Sequence, residues 1–236
     1  LEREGVELTV IACAVDGTLD PAAVEAAIRP HTRLIALTHA SNVVGTLLPI
    51  AEIGRIARRH GLLTLVDTAA TAGAIPIDMQ RDAIDLLAFT GHKALLGPTG
   101  TGGLIIGERV DVAQLRPLKR GGTGSLSSAE EQPDFLPDKF ESGTLNVVGL
   151  AGLEAGIRWL QERGVEAVHA RHREMLRFLL DGLAEIPGVT VYGTRDPALQ
   201  VDTLALDIAG LSPSEAGFLL DDEFDIQTRI GLHCAP

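Results

Sequence analysis

Short, unbroken runs of apolar residues constrain the fold of this sequence more than any other feature. Four such runs are predicted as strands, at Arg33–Thr38, Leu62–Val66, Asp85–Phe89 and Gly103–Ile106. A continuous apolar run, rather than an alternating one, is typical of a strand covered on both faces. Between the first two runs, residues 49–60 carry apolar side chains at helical spacing. Strands that alternate with helices predict an α/β protein with a three-layer, mostly parallel sheet.

The pattern divides the chain into two parts. Residues 1–150 are predicted to form part of a large domain, and residues 151–236 a connecting helix and the start of a smaller α/β domain. Helices are expected from Asp20-Pro21, over 147–186 with a break near Gly164, and from Ser212, whose spacing to Glu215 is that of a capping box. Further strands are expected at Val6–Ala14, Val189–Tyr192 and Thr203–Ile208.

Composition excludes several classes of function. The 236 residues carry a net charge of −12, which argues against a nucleic-acid or anionic-membrane surface. No apolar run is long enough to span a bilayer. Two cysteines are too few for a disulfide framework, so we expect a reducing, cytoplasmic location. Because the chain starts at Leu1 and stops at Pro236, directly after a His-Cys-Ala motif, we expect sequence to be missing at both ends.

Polar side chains follow three of the predicted strands. Asn42 follows the first, Asp67 ends the second, and Thr90, His92 and Lys93 follow the third. In open parallel sheets, ligands bind at the carboxyl ends of strands. We therefore expect these five side chains to converge on one crevice.

A lysine beside a carboxylate at such an edge has a specific chemical use. A partly desolvated lysine can act as an amine nucleophile, and a neighbouring carboxylate can hold a ring nitrogen protonated. Pyridoxal phosphate (PLP) requires both groups, and threonine and histidine could bind its phosphate. Spacing alone leaves open the alternative that Lys93 is a solvated loop lysine, since lysines after strands are common.

Several longer motifs resemble a known family. They are "VDTAA" at 66–70, "DLLAFTGHK" at 85–93, "GPTGTGG" at 97–103, "THASNVVGTLLPI" at 38–50, "GGTGS" at 121–125, "EQPDFLPDKFESGTLN" at 131–146 and "TRIGLHCAP" at 228–236. Together they closely resemble the class V aminotransferase group of fold type I PLP enzymes. Within it the likeness is to the cysteine desulfurase and selenocysteine lyase branch.

The resemblance implies a role for each site residue. Lys93 would form the Schiff base with the PLP aldehyde and move protons at the substrate α-carbon, and Asp67 would pair with the pyridine nitrogen. The remaining cofactor contacts would be Thr90 and His92 to the phosphate, Asn42 near the ring hydroxyl, and Thr144 to the phosphate of a neighbouring subunit. The last contact implies a homodimer.

The resemblance also implies the reaction. L-cysteine would be converted to L-alanine, and Cys234 would receive the sulfur as a persulfide before passing it to an acceptor protein. From the residues alone, a buried structural cysteine is the commoner alternative, although His233 and Arg229 could favour the thiolate of Cys234. The resemblance of the motif favours the reactive thiol. Cys13, within an apolar run, is expected in the core. Selenocysteine lyase, class V aminotransferase and non-catalytic scaffold remain alternatives.

The sequence departs from the family at one cofactor position. A glutamine that usually bonds the ring hydroxyl is replaced by Ala70, for which Thr68 or Thr71 is a candidate substitute. A second phosphate-binding loop, a ring-stacking histidine and a carboxylate-binding arginine would lie outside these residues, so they alone are expected to bind PLP weakly.

Two other patterns give weaker hypotheses. The glycines at 97–103 precede a strand rather than a helix, so they do not fit a nucleotide-binding loop and are interpreted as tight turns. His169 and His172 lie three apart on a predicted helix, but no further metal ligand has suitable spacing, and a solvated helix face is expected. His39 is expected to be a packed histidine near the crevice.

Overall fold

The computed structural model describes residues 2–122 and 124–234. Its strands are β1 (Leu34–Thr38), β2 (Leu63–Asp67), β3 (Leu86–Thr90), β4 (Gly102–Ile106), β5 (Val189–Tyr192) and β6 (Ala205–Ile208). Its α-helices are α1 (Pro21–Ala26), α2 (Ile50–Arg59), α3 (Val147–Arg163), α4 (Val165–Ala184) and α5 (Pro213–Phe224). Short 3-10 turns occupy Glu2–Glu4, Val112–Gln114 and Gly124–Leu126.

The main sheet has four strands in the order β1-β2-β3-β4. β1, β2 and β3 are parallel, and β4 runs antiparallel to β3. The mostly parallel α/β architecture is therefore confirmed. The parallel arrangement brings the carboxyl ends of the first three strands to one edge of the sheet.

Helix α2 covers one face of this sheet. Its side chains Ile50, Ile53, Ile56 and Ala57 are buried, as expected for an apolar stripe of period 3.6. Ile50 joins a core with Val66, Ile84 and Leu87, while α1 packs on α2. This packing supports the carboxyl ends of the parallel strands from the α2 face of the sheet.

The opposite face of the sheet is open in the part of the chain that the structure describes. Side chains alternate along a strand, so Leu34, Leu65, Ala88 and Leu104 share this face. Leu34 and Leu104 are 44% and 49% exposed. The sheet was expected to be covered on both faces. Among residues 2–122 and 124–234 only the face that packs on α2 is covered.

The predicted strand at Val6–Ala14 is wrong. The segment is irregular and its apolar side chains are exposed, Val10 at 81%. β-branched residues favour a strand only where a neighbouring strand completes the ladder, and no described strand pairs with this one. Cys13 is accordingly exposed rather than in the core.

The C-terminal half follows the sequence pattern closely. Gly164, with φ 79°, separates α3 from α4, and β5 pairs with β6 in an antiparallel ribbon. Helix α5 begins with the predicted capping box, in which Ser212 and Glu215 each accept from the other's backbone N–H. None of the described helices is both long and apolar enough to cross a membrane. The proposed boundary near residue 150 stays a prediction.

Candidate active site

Three strand ends meet at the edge where the site was expected. Thr38 lies opposite Asp67 in the sheet register, and Asp67 lies opposite Ala88, two residues before Thr90. The backbone N–H of His39 donates to the carbonyl oxygen of Asp67 at 2.8 Å, which extends the pairing past the end of β1. The register therefore brings Asp67 and Thr90 to one crevice.

An open cavity of about 460 Å³ lies against this edge. Asp67 and Thr90 line it together with Leu65 and Ala88 of the open sheet face and with Phe89, which packs on the core on the α2 side. Asp67 is exposed, and its Oδ1 accepts from the backbone N–H of Ala69 at 2.8 Å. The volume lies in the usual range for small-molecule sites, and its one carboxylate is fixed in place.

The loop that carries Lys93 is held by backbone contacts. The N–H of Gly91 donates to the carbonyl of Thr101, the N–H of Gly97 donates to the carbonyl of Gly91, and Leu96 N–H donates to the carbonyl of Lys93 at 2.9 Å. A Cβ at Gly91 would overlap the Thr101 hydroxyl. Among the glycines at 97–103, a tight turn is found at Gly100, with φ 77°, whereas Gly102 and Gly103 belong to β4. Lys93 is exposed on a constrained loop.

Thr90 and His92 contact each other across one residue. The Thr90 hydroxyl and His92 Nδ1 lie 2.9 Å apart, so the pair forms a small polar surface beside the cavity. Hydroxyl and imidazole groups can donate to phosphate oxygens. Their assignment to phosphate is a prediction that agrees with this placement.

The candidate substitutes for the absent glutamine are wrong. Thr68 and Thr71 are fully buried. The Thr68 hydroxyl donates to the carbonyl of Ala88 at 2.8 Å, and the Thr71 hydroxyl lies 3.0 Å from His39 Nδ1. Both hydroxyls thus serve the interior, so neither can replace a side chain directed at a ligand.

His39 is the packed histidine that the sequence predicted. It is 8% exposed and joins the end of β1 to the loop after β2. Burial lowers its pKa from an ordinary value of 6.5 to about 4, and the negative charge of Asp82 opposes that shift only in part. The imidazole is therefore neutral near pH 7 and acts as a structural link behind the crevice.

The segment that carries Cys234 reaches Asn42. Asn42 Nδ2 donates to the carbonyl oxygen of His233 at 2.7 Å. Arg229 Nη2 lies 3.9 Å from the sulfur of Cys234, which is exposed. Sequence reasoning placed Asn42 and Cys234 in one site but missed their connection, because the acceptor is a backbone carbonyl and carries no side-chain signal.

Thr144 and the histidine pair lie elsewhere. Thr144 is exposed, two residues before Asn146, which caps α3 through a bond to Gly149 N–H. His169 and His172 line a small cavity, and His172 Nδ1 pairs with Asp202 at 3.2 Å, so the expected solvated face is wrong. Among the described residues no cluster of three potential metal ligands is present.

The comparison with known families decides the relationship. A family model described as "Aminotransferase class-V" matches residues 1–236. The chain belongs to the class-V aminotransferase family. The resemblance drawn from its motifs is thus confirmed at the level of the family.

Curated relatives in this family carry a narrower name. A "Probable cysteine desulfurase" from Methanothermobacter thermautotrophicus is 37% identical over 238 residues, which cover 100% of this chain and 58% of the relative. One from Halalkalibacterium halodurans is 36% identical, with 98% and 56% covered. The chain thus spans about half the length of the curated relatives that it matches.

Solved structures agree with these relatives. The apo structure of a cysteine desulfurase from Thermococcus onnurineus NA1 has a TM-score of 0.87 at 34% identity and covers 98% of this chain and 57% of its own. The cysteine desulfurase CsdA from Escherichia coli has a TM-score of 0.76 at 32% identity, with 91% and 52% covered. The chain is therefore similar in fold as well as in sequence to cysteine desulfurases.

Proposed function

We propose that this class-V aminotransferase family member acts as a PLP-dependent cysteine desulfurase, with Lys93 as the cofactor-binding lysine. The observation that carries the proposal is the shared cavity of Asp67 and Thr90 at the strand ends, with the constrained Lys93 loop directly after β3. The names of the relatives support L-cysteine as substrate.

The residues present fit the cofactor. PLP would supply an aldehyde that an amine can attack and a ring that stabilises negative charge at the substrate α-carbon. The exposed Asp67 carboxylate is suited to accept a hydrogen bond from a protonated ring nitrogen. Thr90 and His92 are suited to donate to phosphate oxygens. Asn42, at the end of the adjacent strand, is the proposed contact to the ring hydroxyl and the substrate.

Lys93 and Cys234 divide the reaction between them. The Lys93 amine would hold PLP through the aldehyde carbon and, once freed by the amino group of L-cysteine, would carry a proton from the substrate α-carbon. The Cys234 thiolate attacks the substrate sulfur, an S–S bond forms, and the Cβ–S bond breaks with its electron pair left on carbon. That carbon takes up a proton, alanine leaves, and Cys234 holds a persulfide.

Three further features belong to the same proposal. Thr144, exposed before α3, is proposed to reach the phosphate bound by a second subunit, which makes the active form a homodimer. A sulfur-acceptor protein would remove the persulfide from exposed Cys234. Neither cysteine forms a disulfide in the described residues, which is consistent with a reducing cytoplasm.

Turnover of L-cysteine tests the proposal. The full-length protein with PLP is expected to release alanine and, with a thiol reductant, an equal amount of sulfide. Cys234→Ala should abolish both products while absorbance near ~420 nm, the signature of a lysine Schiff base, persists. Alanine release that is unchanged in Cys234→Ala would contradict the assigned nucleophile and favour a selenocysteine lyase, whereas formation of a keto acid without alanine would favour an aminotransferase.

A second candidate function rests on one observation. Ala70 lacks the donor that family members direct at the ring, and Thr68 and Thr71 are both buried and bonded internally. A site weakened in this way suits a non-catalytic partner in sulfur transfer. That function predicts no absorbance near ~420 nm and no product from L-cysteine, selenocysteine or amino donors.

A further inference from the structure

The segment 228–234 lies outside regular secondary structure and contacts Asn42, in the turn that follows β1. It follows α5 and contains Arg229, His233 and Cys234. In residues 2–122 and 124–234, the hydrogen bond from Asn42 Nδ2 to the His233 carbonyl is the one that joins this segment to the rest of the chain. The two residues are 191 positions apart in sequence.

The backbone at the end of the segment needs outside support. His233 and Cys234 have φ angles of 51° and 59°, so two consecutive non-glycine residues adopt the left-handed conformation. Such conformations are disfavoured by contact between Cβ and the backbone, and they persist where the surroundings determine them. Asn42 donates its hydrogen bond to the carbonyl oxygen of His233, the residue directly before Cys234.

The turn that carries Asn42 is held by hydrogen bonds of its own. Ser41 Oγ accepts from the N–H groups of Val43 and Val44, both at 3.2 Å, and Ser41 N–H donates to the carbonyl of Thr46. Thr46 is fully buried. The asparagine therefore projects from a closed turn at the end of β1, and its position does not depend on the segment that it holds.

We propose that Asn42 is a positioning residue for Cys234, which its amide holds over the crevice through the carbonyl of His233. The inference rests on the proposed function, in which the Cys234 sulfur must reach a substrate beside Lys93. An amide nitrogen carries two hydrogens, so one can hold the segment while the other is directed at a ligand. Asn42 would thereby connect the thiol to the ligand site.

Limited proteolysis of the PLP-free protein tests the contact directly. Trypsin cleaves after Arg229, within the segment, and after Arg195, an exposed loop residue that serves as internal control. When opening is fast, cleavage follows the open population. Loss of one hydrogen bond in Asn42→Ala should therefore raise the rate at Arg229 about two- to tenfold and leave the rate at Arg195 unchanged.

Two more variants separate positioning from general loosening. Asn42→Gln keeps the amide donor and should restore part of the protection, whereas Asn42→Asp places a carboxylate opposite the carbonyl and should give the fastest cleavage. An unchanged rate at Arg229 in Asn42→Ala and Asn42→Asp would overturn the proposal. An equal rise at Arg229 and Arg195 would also overturn it, because it indicates loss of the fold.

A measurement with substrate connects the contact to the reaction. After exposure of the PLP-loaded protein to L-cysteine, mass spectrometry of two aliquots gives the persulfide on Cys234 without reductant and the pyridoxyl group on Lys93 after borohydride, expressed as a ratio. This ratio should fall in the order wild type, Asn42→Gln, Asn42→Ala, and an equal ratio in all three would contradict a positioning role. Absence of the trapped lysine in wild type would contradict the proposed function. The proteolysis of the PLP-free protein would still test the contact between Asn42 and segment 228–234.

Discussion

The two residues proposed to react, Lys93 and Cys234, lie on segments that are held to the fold in very different ways. Lys93 lies on a loop that is closed by backbone hydrogen bonds from Gly91 to Thr101 and from Gly97 to Gly91. Both glycines pack closely against neighbouring atoms. Cys234 lies on a segment that, in the described residues, a single hydrogen bond from Asn42 joins to the rest of the chain. Lys93 is thus on a loop closed by several backbone hydrogen bonds, whereas segment 228–234 packs on Gly217 of α5 and has one hydrogen bond, to Asn42. Such a division suits the proposed role of Cys234, which is to pass sulfur to an acceptor protein.

Removal of each reactive group should produce the largest effects and separate the two segments. Lys93→Ala is expected to lower alanine formation by roughly 10⁴-fold or more and to abolish the Schiff base, because no other amine occupies that position. Cys234→Ala is expected to abolish persulfide but keep the Schiff base. Chromatographic assay of alanine and absorbance spectra check both. A Cys234→Ala protein without the Schiff base would show that the segments are not independent.

The rigidity of the lysine loop can be broken at Gly91. In Gly91→Ala the new methyl group overlaps the Thr101 hydroxyl, so we expect a loss of about 1–3 kcal/mol in the free energy of unfolding. Gly100→Ala is the matched control. Gly100 has φ 77°, and no atom lies within 4 Å of the position that a Cβ would occupy, so only backbone strain of about 1 kcal/mol is expected. Urea unfolding measures both, and equal losses would contradict tight packing at Gly91.

The sheet edge behind the lysine loop should be sensitive to acid through His39. Its folded pKa of about 4 lies below the unfolded value of 6.5, so the unfolded state binds the proton first. Stability should fall as the pH drops from about 6.5 to about 4, by an amount on the order of 3 kcal/mol in total. His39→Gln should flatten this part of the curve. An identical slope in both proteins, measured by urea unfolding at each pH, would contradict the buried neutral imidazole.

The smallest effect is expected in helix α5, which precedes segment 228–234. Ser212→Ala removes the side-chain acceptor of the capping box of α5 and should cost about 1 kcal/mol of helix stability. Hydrogen exchange should accelerate in α5 and remain unchanged in β3. Acceleration that extends to β3 would show that α5 and the edge of the main sheet unfold together.

The sequence predicted features that depend on local rules. Asp67 at the end of β2, the break at Gly164 and the capping box of α5 follow from strand ends, glycine conformation and a three-residue spacing. Val6–Ala14 failed because a strand depends on a partner that local sequence does not specify. The bond from Asn42 to the His233 carbonyl could not be predicted, since every residue supplies the same backbone acceptor.

Other site details depended on which way a side chain points. Thr68 and Thr71 have the right chemistry to replace a missing donor, but the sheet and the loop after β2 turn both inward. His172 was expected on a solvated helix face because no further metal ligand has suitable spacing, yet it pairs with Asp202 from a distant loop. Tertiary contacts therefore decided the points at which residue type and spacing were ambiguous.

Borohydride reduction of the full-length protein with PLP, followed by peptide mass spectrometry, tests the central claim most directly. The account predicts a reduced pyridoxyl group on Lys93, in the peptide that follows β3. A group found on another lysine, or on none, would contradict the account.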